Sequence, residues 1–174
     1  MSDVRVRRAT RDDLDFMVDV FAHGDVRPYL ATGGAFDRDS LLGELGRQER
    51  EPGAFGRFVI EVREGDEWRP AGTMGFERVN ERSRIARLER LAVHPEFRGR
   101  RLADEAARLF QRHVIFDLGF HRLQMEIYGY NDRAQRHAER AGWIKEGVKR
   151  KAYRLGDEWV DGVMYGLVRE DLEE

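Results

Sequence analysis

The sequence has no cysteine, few prolines and no long apolar run. Zero cysteines in 174 residues exclude disulfides, thiolate metal sites and cysteine nucleophiles. No apolar segment is long enough to cross a bilayer, and residues 1–5 lack a signal-peptide core. We therefore expect a cytoplasmic protein with no membrane partner. The length predicts a single domain over residues 1–174, and 41% hydrophobic residues suffice for a packed core.

Lysine is also scarce, because only Lys145, Lys149 and Lys151 occur and arginine supplies nearly all the positive charge. The 31 basic and 33 acidic residues give a net charge of −2. This balance argues against a nucleic-acid partner, since such proteins usually have a basic excess. The histidines show no spacing that would place metal ligands on one face, so we expect no metal.

Apolar spacing predicts an α/β domain. Strand-like segments are residues 4–7, 57–63, 70–79, 85–93, 123–127, 144–155 and 158–168. Helical segments follow Thr10, begin at Asp37 or Asp39, run from Leu102 to Leu118, and follow Asn131 or Asp132. Residues 25–34 form a loop or a short helical turn that carries Tyr29. The second to fourth strands form an antiparallel meander, and residues 85–127 form a strand–helix–strand unit of a mixed sheet.

A tight basic loop lies between the fourth strand and the third helix. Backbone amides at a helix start are unpaired and favour an anion. Gly99 allows the chain to approach a ligand closely, and Arg98, Arg100 and Arg101 add positive charge. The segment therefore suits a diphosphate. It has neither the G-x-G-x-x-G dinucleotide pattern nor the Gly-Lys-Ser/Thr of a P-loop.

This loop resembles the R/Q-x-x-G-x-G/A motif of GNAT N-acetyltransferases, with Arg98 in first place and Ala103 in last. The segments 131–134, 141–143 and 146–167 extend the resemblance. They are similar to the Rim-type branch of ribosomal-protein N-terminal and spermidine acetyltransferases. The resemblance implies a GNAT fold, acetyl-CoA as co-substrate without a metal, a primary amine as acceptor, and a homodimer. It implies these coenzyme-binding residues: Leu91, Ala92, Val93, Arg98, Gly99, Arg100, Arg101, Leu102, Ala103, Asn131 and Ala134.

Arg101 departs from the motif, because it stands where the family has its central glycine. A positive φ there would cost arginine about 1 kcal/mol or more. We expect Arg101 to be helical already, with its side chain folded over the phosphates. Asn131 is expected beside the coenzyme, as a helix cap, or in both roles.

Two residues are candidates for proton transfer. Glu89, two residues before Leu91, resembles the acidic position of the family and could deprotonate the amine through water. The alternative is a solvent-facing strand residue paired with Arg87 or Arg90. The usual tyrosine, seven residues after Asn131, is here Ala138, so Tyr128 is the candidate acid. It could equally be a packing residue.

The acceptor pocket is expected between the early helices and the last hairpin, with Tyr29, Phe36 and Trp159 as walls. Packing in the core or at an interface is the alternative for all three. A function of another class also remains open at this point. The changes at positions 101 and 138 are compatible with a non-catalytic GNAT-fold sensor of acyl-CoA.

Overall fold

A computed structural model describes residues 3–30 and 36–173 of the chain. Residues 31–35, in the second half of the predicted loop 25–34, lie outside the described residues.

The described part of the chain contains a seven-stranded mixed sheet. Its strands are β1 Val4–Arg8, β2 Phe55–Glu64, β3 Glu67–Asn80, β4 Ile85–Val93, β5 Arg122–Tyr128, β6 Ile144–Leu155 and β7 Glu158–Val168. Their order across the sheet is β1-β2-β3-β4-β5-β7-β6. Only β4 and β5 pair in parallel among these strands. The predicted α/β class, the meander and the strand–helix–strand unit are therefore confirmed.

Helices cover both faces of this sheet. They are α1 Leu14–Ala22, α2 Arg38–Arg50, α3 Leu102–Arg112 and α4 Asp132–Arg140. Asp37 caps α2, because its Oδ1 accepts a hydrogen bond of 2.8 Å from the Ser40 amide. No helix within residues 3–30 and 36–173 is long and apolar enough to span a membrane.

The third helix differs from its predicted form. The α-helix ends at Arg112 and continues as a π turn over His113–Asp117, before Gly119 at φ +75°. Leu109, which fits the apolar spacing, is 40% exposed. Periodicity marks the length of such a segment, but it does not distinguish i→i+4 from i→i+5 hydrogen bonding.

The core lies on both sides of the sheet, as the alternation along β2 shows. Phe58, Ile60 and Val62 pack in the cluster that contains the buried residues of α3 and α4. Val59 points the other way and packs against α1 and α2. Arg57 lies two residues from Val59 and shares its face, because side chains alternate along a strand. That face carries the buried charges described below.

The fourth strand separates from the fifth at a β-bulge. The two strands pair for only three residues, Ile85–Arg87 with Arg122–Gln124. Pairing of β4 with β3 then shifts register between Thr73 and Gly75, and Arg90 takes φ +58°. The Thr73 hydroxyl donates a hydrogen bond of 3.0 Å to the Arg90 carbonyl. A bulge of this kind redirects the strand, and it opens a gap beside residues 91–93.

Candidate active site

A cavity of about 370 Å³ lies at the N-terminus of α3. It is lined by β4, by the loop after β4 and by α4. The first amides that bond within α3 are those of Asp104 and Glu105, which donate to the Arg101 carbonyl at 3.2 and 3.4 Å. The amides of the helix start before them have no acceptor in their own helix. They provide donors for an anion, as the sequence pattern predicts.

Gly99 shapes the open side of this cavity. It has φ +82°, a conformation that favours glycine, and a Cβ added there would meet no described atom within 4 Å. The space at this point is therefore left free by the protein. Leu91, Ala92, Val93, Leu102 and Ala103 line the same cavity.

The expectation that Arg101 is helical is wrong. Arg101 has φ +54° and ψ +21°, the left-handed conformation, and it is the N-cap of α3. The chain needs this conformation to turn from the loop into the helix, which explains the glycine of the family motif. Arginine adopts it here at a cost of about 1 kcal/mol or more. Its side chain still lines the cavity.

The two other arginines of the loop differ in their placement. Arg98 lines the cavity and donates to the Asp25 carbonyl at 3.1 Å. Burial and the nearby Arg133 lower the pKa of Arg98, so an anion bound between these two cations would relieve their repulsion. Arg100 points away from the cavity, because Glu64 binds its guanidinium at 3.0 Å. Its expected side-chain contact with the coenzyme is therefore not supported.

The fourth helix contributes a cationic face that the sequence interpretation missed. Ala134, a predicted coenzyme residue, lines the cavity together with Arg133, His137 and Arg140. The spacing of these three polar residues, i, i+4 and i+7, places them on one helical face. This spacing is visible in the sequence and could have predicted the cationic face. Arg140 donates to the buried Asp104 of α3 at 3.1 Å, which ties the two helices together.

A buried Asp–His pair lies between α3 and α4. His137 Nδ1 is 2.6 Å from Asp104 Oδ1, and its Nε2 is buried without a hydrogen-bond partner among the described residues. Burial lowers the pKa of His137 despite this hydrogen bond. Burial opposes the charge of Asp104, but hydrogen bonds from Arg140 and His137 hold its pKa below the ordinary value. The pair is therefore a carboxylate beside a neutral imidazole near pH 7.

The free energy of unfolding is expected to fall on acidification because of His137. An unfolded histidine has a pKa of about 6.5, and the folded pKa is lower. The unfolded chain therefore binds more protons as the pH drops through 6.5, with a slope of at most about 1.4 kcal/mol per pH unit from this group. The lowered pKa of Asp104 acts in the same direction at lower pH. Urea unfolding between pH 7.5 and 5 measures the slope.

The control separates His137 from the other histidines. His137→Gln should flatten the slope near pH 6.5, whereas His121→Gln, at an exposed position, should leave it unchanged. Equal slopes in wild type and His137→Gln would contradict the assignment.

A second cavity of about 820 Å³ adjoins the first, and Leu30, Leu91 and His137 line both. It lies over the β4 bulge, with α2 on one side and Tyr153 of β6 on another. The junction thus falls where β4 leaves β5. Two compartments meeting at separated strands can bring a carrier-bound group and an acceptor together.

Glu89 lines this second cavity and is buried, with its side chain 5% exposed. The solvent-facing alternative is therefore wrong. Its Oε1 is 2.8 Å from Arg57 Nη2, and its Oε2 is 3.4 Å from Arg87 Nε. Arg57 on β2 is in register with Gly75 on β3, and Gly75 with Glu89 on β4. The missing side chain of Gly75 is what lets Arg57 reach Glu89 across the intervening strand.

Tyr128 does not line either cavity. Its ring stacks on Tyr130 at 5.6 Å and meets Tyr153 edge-on at 5.4 Å, so the packing alternative describes it better. Tyr153 does line the large cavity, and burial and its hydrogen bond to Glu126 raise its pKa to about 12. Ala138 is fully buried in α4, which leaves no exposed position there for a tyrosine ring.

Asn131 has a capping contact and also reaches the site. Its Oδ1 accepts a hydrogen bond of 3.1 Å from the Ala134 amide, and the residue lines the large cavity. The cap is therefore present, and its contact with coenzyme stays a prediction.

The three predicted acceptor walls are placed differently. Tyr29 lines the large cavity and lies 5.9 Å from Tyr130, ring to ring. The ring of Phe36 packs 5.2 Å from the ring of Phe21 and lies under the guanidinium of Arg90. Phe36 therefore contacts Arg90, which lines the large cavity, but does not line the cavity itself. Trp159 is 58% exposed near the β6–β7 turn and lines neither cavity, because β7 presents it to solvent. The structure gives no support to Trp159 as an acceptor wall.

Comparison with known proteins is consistent with this geometry. Residues 3–144 match the model of the Acetyltransferase (GNAT) domain. The chain belongs to the GNAT acetyltransferase family. It is 30% identical over 83 residues to the SPbeta prophage-derived uncharacterized N-acetyltransferase YokL of Bacillus subtilis, covering 48% of this chain and 47% of that protein. The chain thus spans about half the length of that curated relative.

Solved structures show the GNAT fold. Spermidine N-acetyltransferase from Vibrio cholerae in complex with CoA and spermine has a TM-score of 0.84 and 19% identity, and the match covers 100% of both chains. A dodecameric structure of the Vibrio cholerae enzyme has a TM-score of 0.81 and 18% identity, with 100% of this chain and 98% of that chain covered. Membership of the Rim-type branch stays a prediction.

Proposed function

We propose that this GNAT protein transfers the acetyl group of acetyl-CoA to a primary amine by direct attack in a ternary complex. The observation that carries the proposal is the junction of the two cavities beside the β4 bulge. One cavity has the donors of a diphosphate cradle, and the other has room for an acceptor. The acetyl group would lie between them.

The coenzyme site is assigned to the small cavity. Amides at the start of α3, with the side chains of Arg98, Arg101 and Arg133, would bind the diphosphate. The pantetheine arm would lie along residues 91–93, where β4 no longer pairs with β5. A backbone N–H there is the proposed donor to the thioester carbonyl oxygen.

Glu89 is the proposed proton acceptor for the amine, acting through water from the wall of the large cavity. A general acid for the leaving thiolate is not required. A thiol has a pKa of about 8.5, so its thiolate leaves readily near neutral pH. The buried Ala138 is therefore compatible with transfer. We place the reaction in the cytoplasm, where acetyl-CoA is used, and the homodimer stays part of the proposal.

The test is release of free CoA thiol from acetyl-CoA with a panel of primary amines: peptide N-termini, polyamines and small-molecule amines. We expect thiol release that depends on the amine. Tight coenzyme binding without thiol release for any amine would favour the alternative, an acyl-CoA sensor, which the departures at Arg101 and Ala138 suggest. Failure to bind coenzyme would contradict both functions.

A further inference from the structure

We infer that the acceptor carries a carboxylate as well as its amine, so that it is an amino acid or a short peptide with a free acid group. The inference rests on the proposed function and specifies the acceptor class of the large cavity. It follows from a network of four arginines on the cavity wall, two of them buried, which we call the arginine network.

The arginine network alternates in charge. Its order is Arg90, Glu44, Arg57, Glu89, Arg87, Glu77, Arg47 and Glu51, with 2.8 Å contacts except for 3.4 Å between Glu89 and Arg87 and 3.3 Å between Arg47 and Glu51. Four guanidinium groups thus share four carboxylates, of which Glu51 lies outside the cavity wall. Counting all described charged residues of the wall, five arginines face four glutamates. The wall therefore has a positive excess.

Three of these arginines have a buried donor left over, and Arg87 Nε is one of those donors. The side chains of Arg57 and Arg90 are 3% and 6% exposed, and both bind the same oxygen of Glu44, Oε2, at 2.8 Å. Arg57 Nη1 and Arg90 Nε are buried and have no hydrogen-bond partner among the described residues. Both residues line the cavity. An unpaired buried donor costs about 1–3 kcal/mol, more when charged, so such donors call for an acceptor.

A carboxylate is the acceptor that these donors suit. It would bind guanidinium N–H groups at the wall and offset the repulsion between Arg57 and Arg90, which contributes to the lowered pKa of Arg90 after the larger effect of burial. A polyamine would instead bring several positive charges against the arginines. A cavity of about 820 Å³ has room for a short peptide. A peptide α-amine, with a pKa of about 7.7–8.0, is also easier to deprotonate than a polyamine nitrogen.

The test on the wild-type protein compares acceptors that differ in one charge. Alanine and alanylalanine are each supplied as the free acid and as the carboxamide, with spermidine alongside. Thiol release gives kcat/KM, which is calculated for the neutral amine of each acceptor so that differences in amine pKa do not enter. We expect at least about a 10-fold preference for each free acid over its carboxamide and over spermidine, about 1.4 kcal/mol. A carboxamide or spermidine that reacts as well as the acid would overturn the inference while leaving the proposed function intact.

A variant links the preference to the wall. Arg90→Gln is expected to reduce the acid-to-carboxamide ratio of kcat/KM about 10-fold. Arg154→Gln is the matched control, since Arg154 contacts Asp157 at the β6–β7 turn and lines neither cavity. An unchanged ratio in a folded Arg90→Gln protein would overturn the inference. If Arg90→Gln does not fold, the comparison of free acids with carboxamides on the wild-type protein still tests the inference.

A binding measurement distinguishes failure of this inference from failure of the proposed function. If no acceptor releases thiol, the proposed function fails, and calorimetric titration of the CoA-saturated protein with alanylalanine and its carboxamide tests the anion site alone. Tighter binding of the acid would support the carboxylate site. Equal binding, or none, would overturn it.

Discussion

Replacing Gly99 by leucine is expected to weaken CoA binding at least about 100-fold, equivalent to about 2.7 kcal/mol. A side chain at this position points into space that the protein leaves free on the open side of the small cavity. It would occupy the volume assigned to the diphosphate. Calorimetric titration with CoA gives the affinity, and urea unfolding shows whether the protein is folded.

The matched control is Gly156→Leu. Gly156 has φ +60°, and a Cβ there also meets no described atom within 4 Å, but it lies in the β6–β7 turn. Both variants carry the strain of a left-handed residue, about 1–2 kcal/mol. Only Gly99→Leu should lose CoA affinity. Unchanged affinity in that variant would mean that the phosphates bind elsewhere.

Glu89→Gln is expected to lower kcat about 100-fold or more, the usual contribution of a general base. The pH–rate profile should change as well, because an amide does not accept the proton of the amine. CoA affinity should change little, since Glu89 lines the acceptor cavity and not the coenzyme cavity. Steady-state rates across pH, with CoA titration of the same protein, measure both.

Loss of a buried ion pair could also lower activity, so the control removes a neighbouring charge. Glu77→Gln breaks contacts of 2.8 Å with Arg47 and Arg87 in the same network but leaves Glu89 in place. It should retain the pH–rate profile of the wild type. A wild-type profile in Glu89→Gln would show that Glu89 only supports the arginine network.

Local patterns in the sequence were enough to predict the helices and strands and a helix start suited to an anion. Strand β4 has the predicted bounds Ile85–Val93, and α4 begins after Asn131, one of its two predicted caps. Gly99 and the basic residues around it marked a helix start suited to an anion. These features depend on neighbouring residues in the chain, which is why spacing and capping chemistry revealed them.

Long-range geometry decided the features that spacing did not reveal. Arg101 is left-handed because the path into α3 requires that turn, which the residue type alone argued against. Tyr128 on β5 packs beside Tyr153 on β6 across the intervening strand β7, because Gly162, the partner of Tyr128 in register, has no side chain there.

By itself, the sequence determined the fold class, the order of the elements and the position of a helix start suited to an anion, because each depends on local propensity and on a short contiguous motif. Only the tertiary structure decided the character of the acceptor cavity. Arg57 reaches Glu89 across Gly75, and α2 supplies Glu44 from above the sheet. These charges are far apart along the chain, and only strand register and helix packing bring them together.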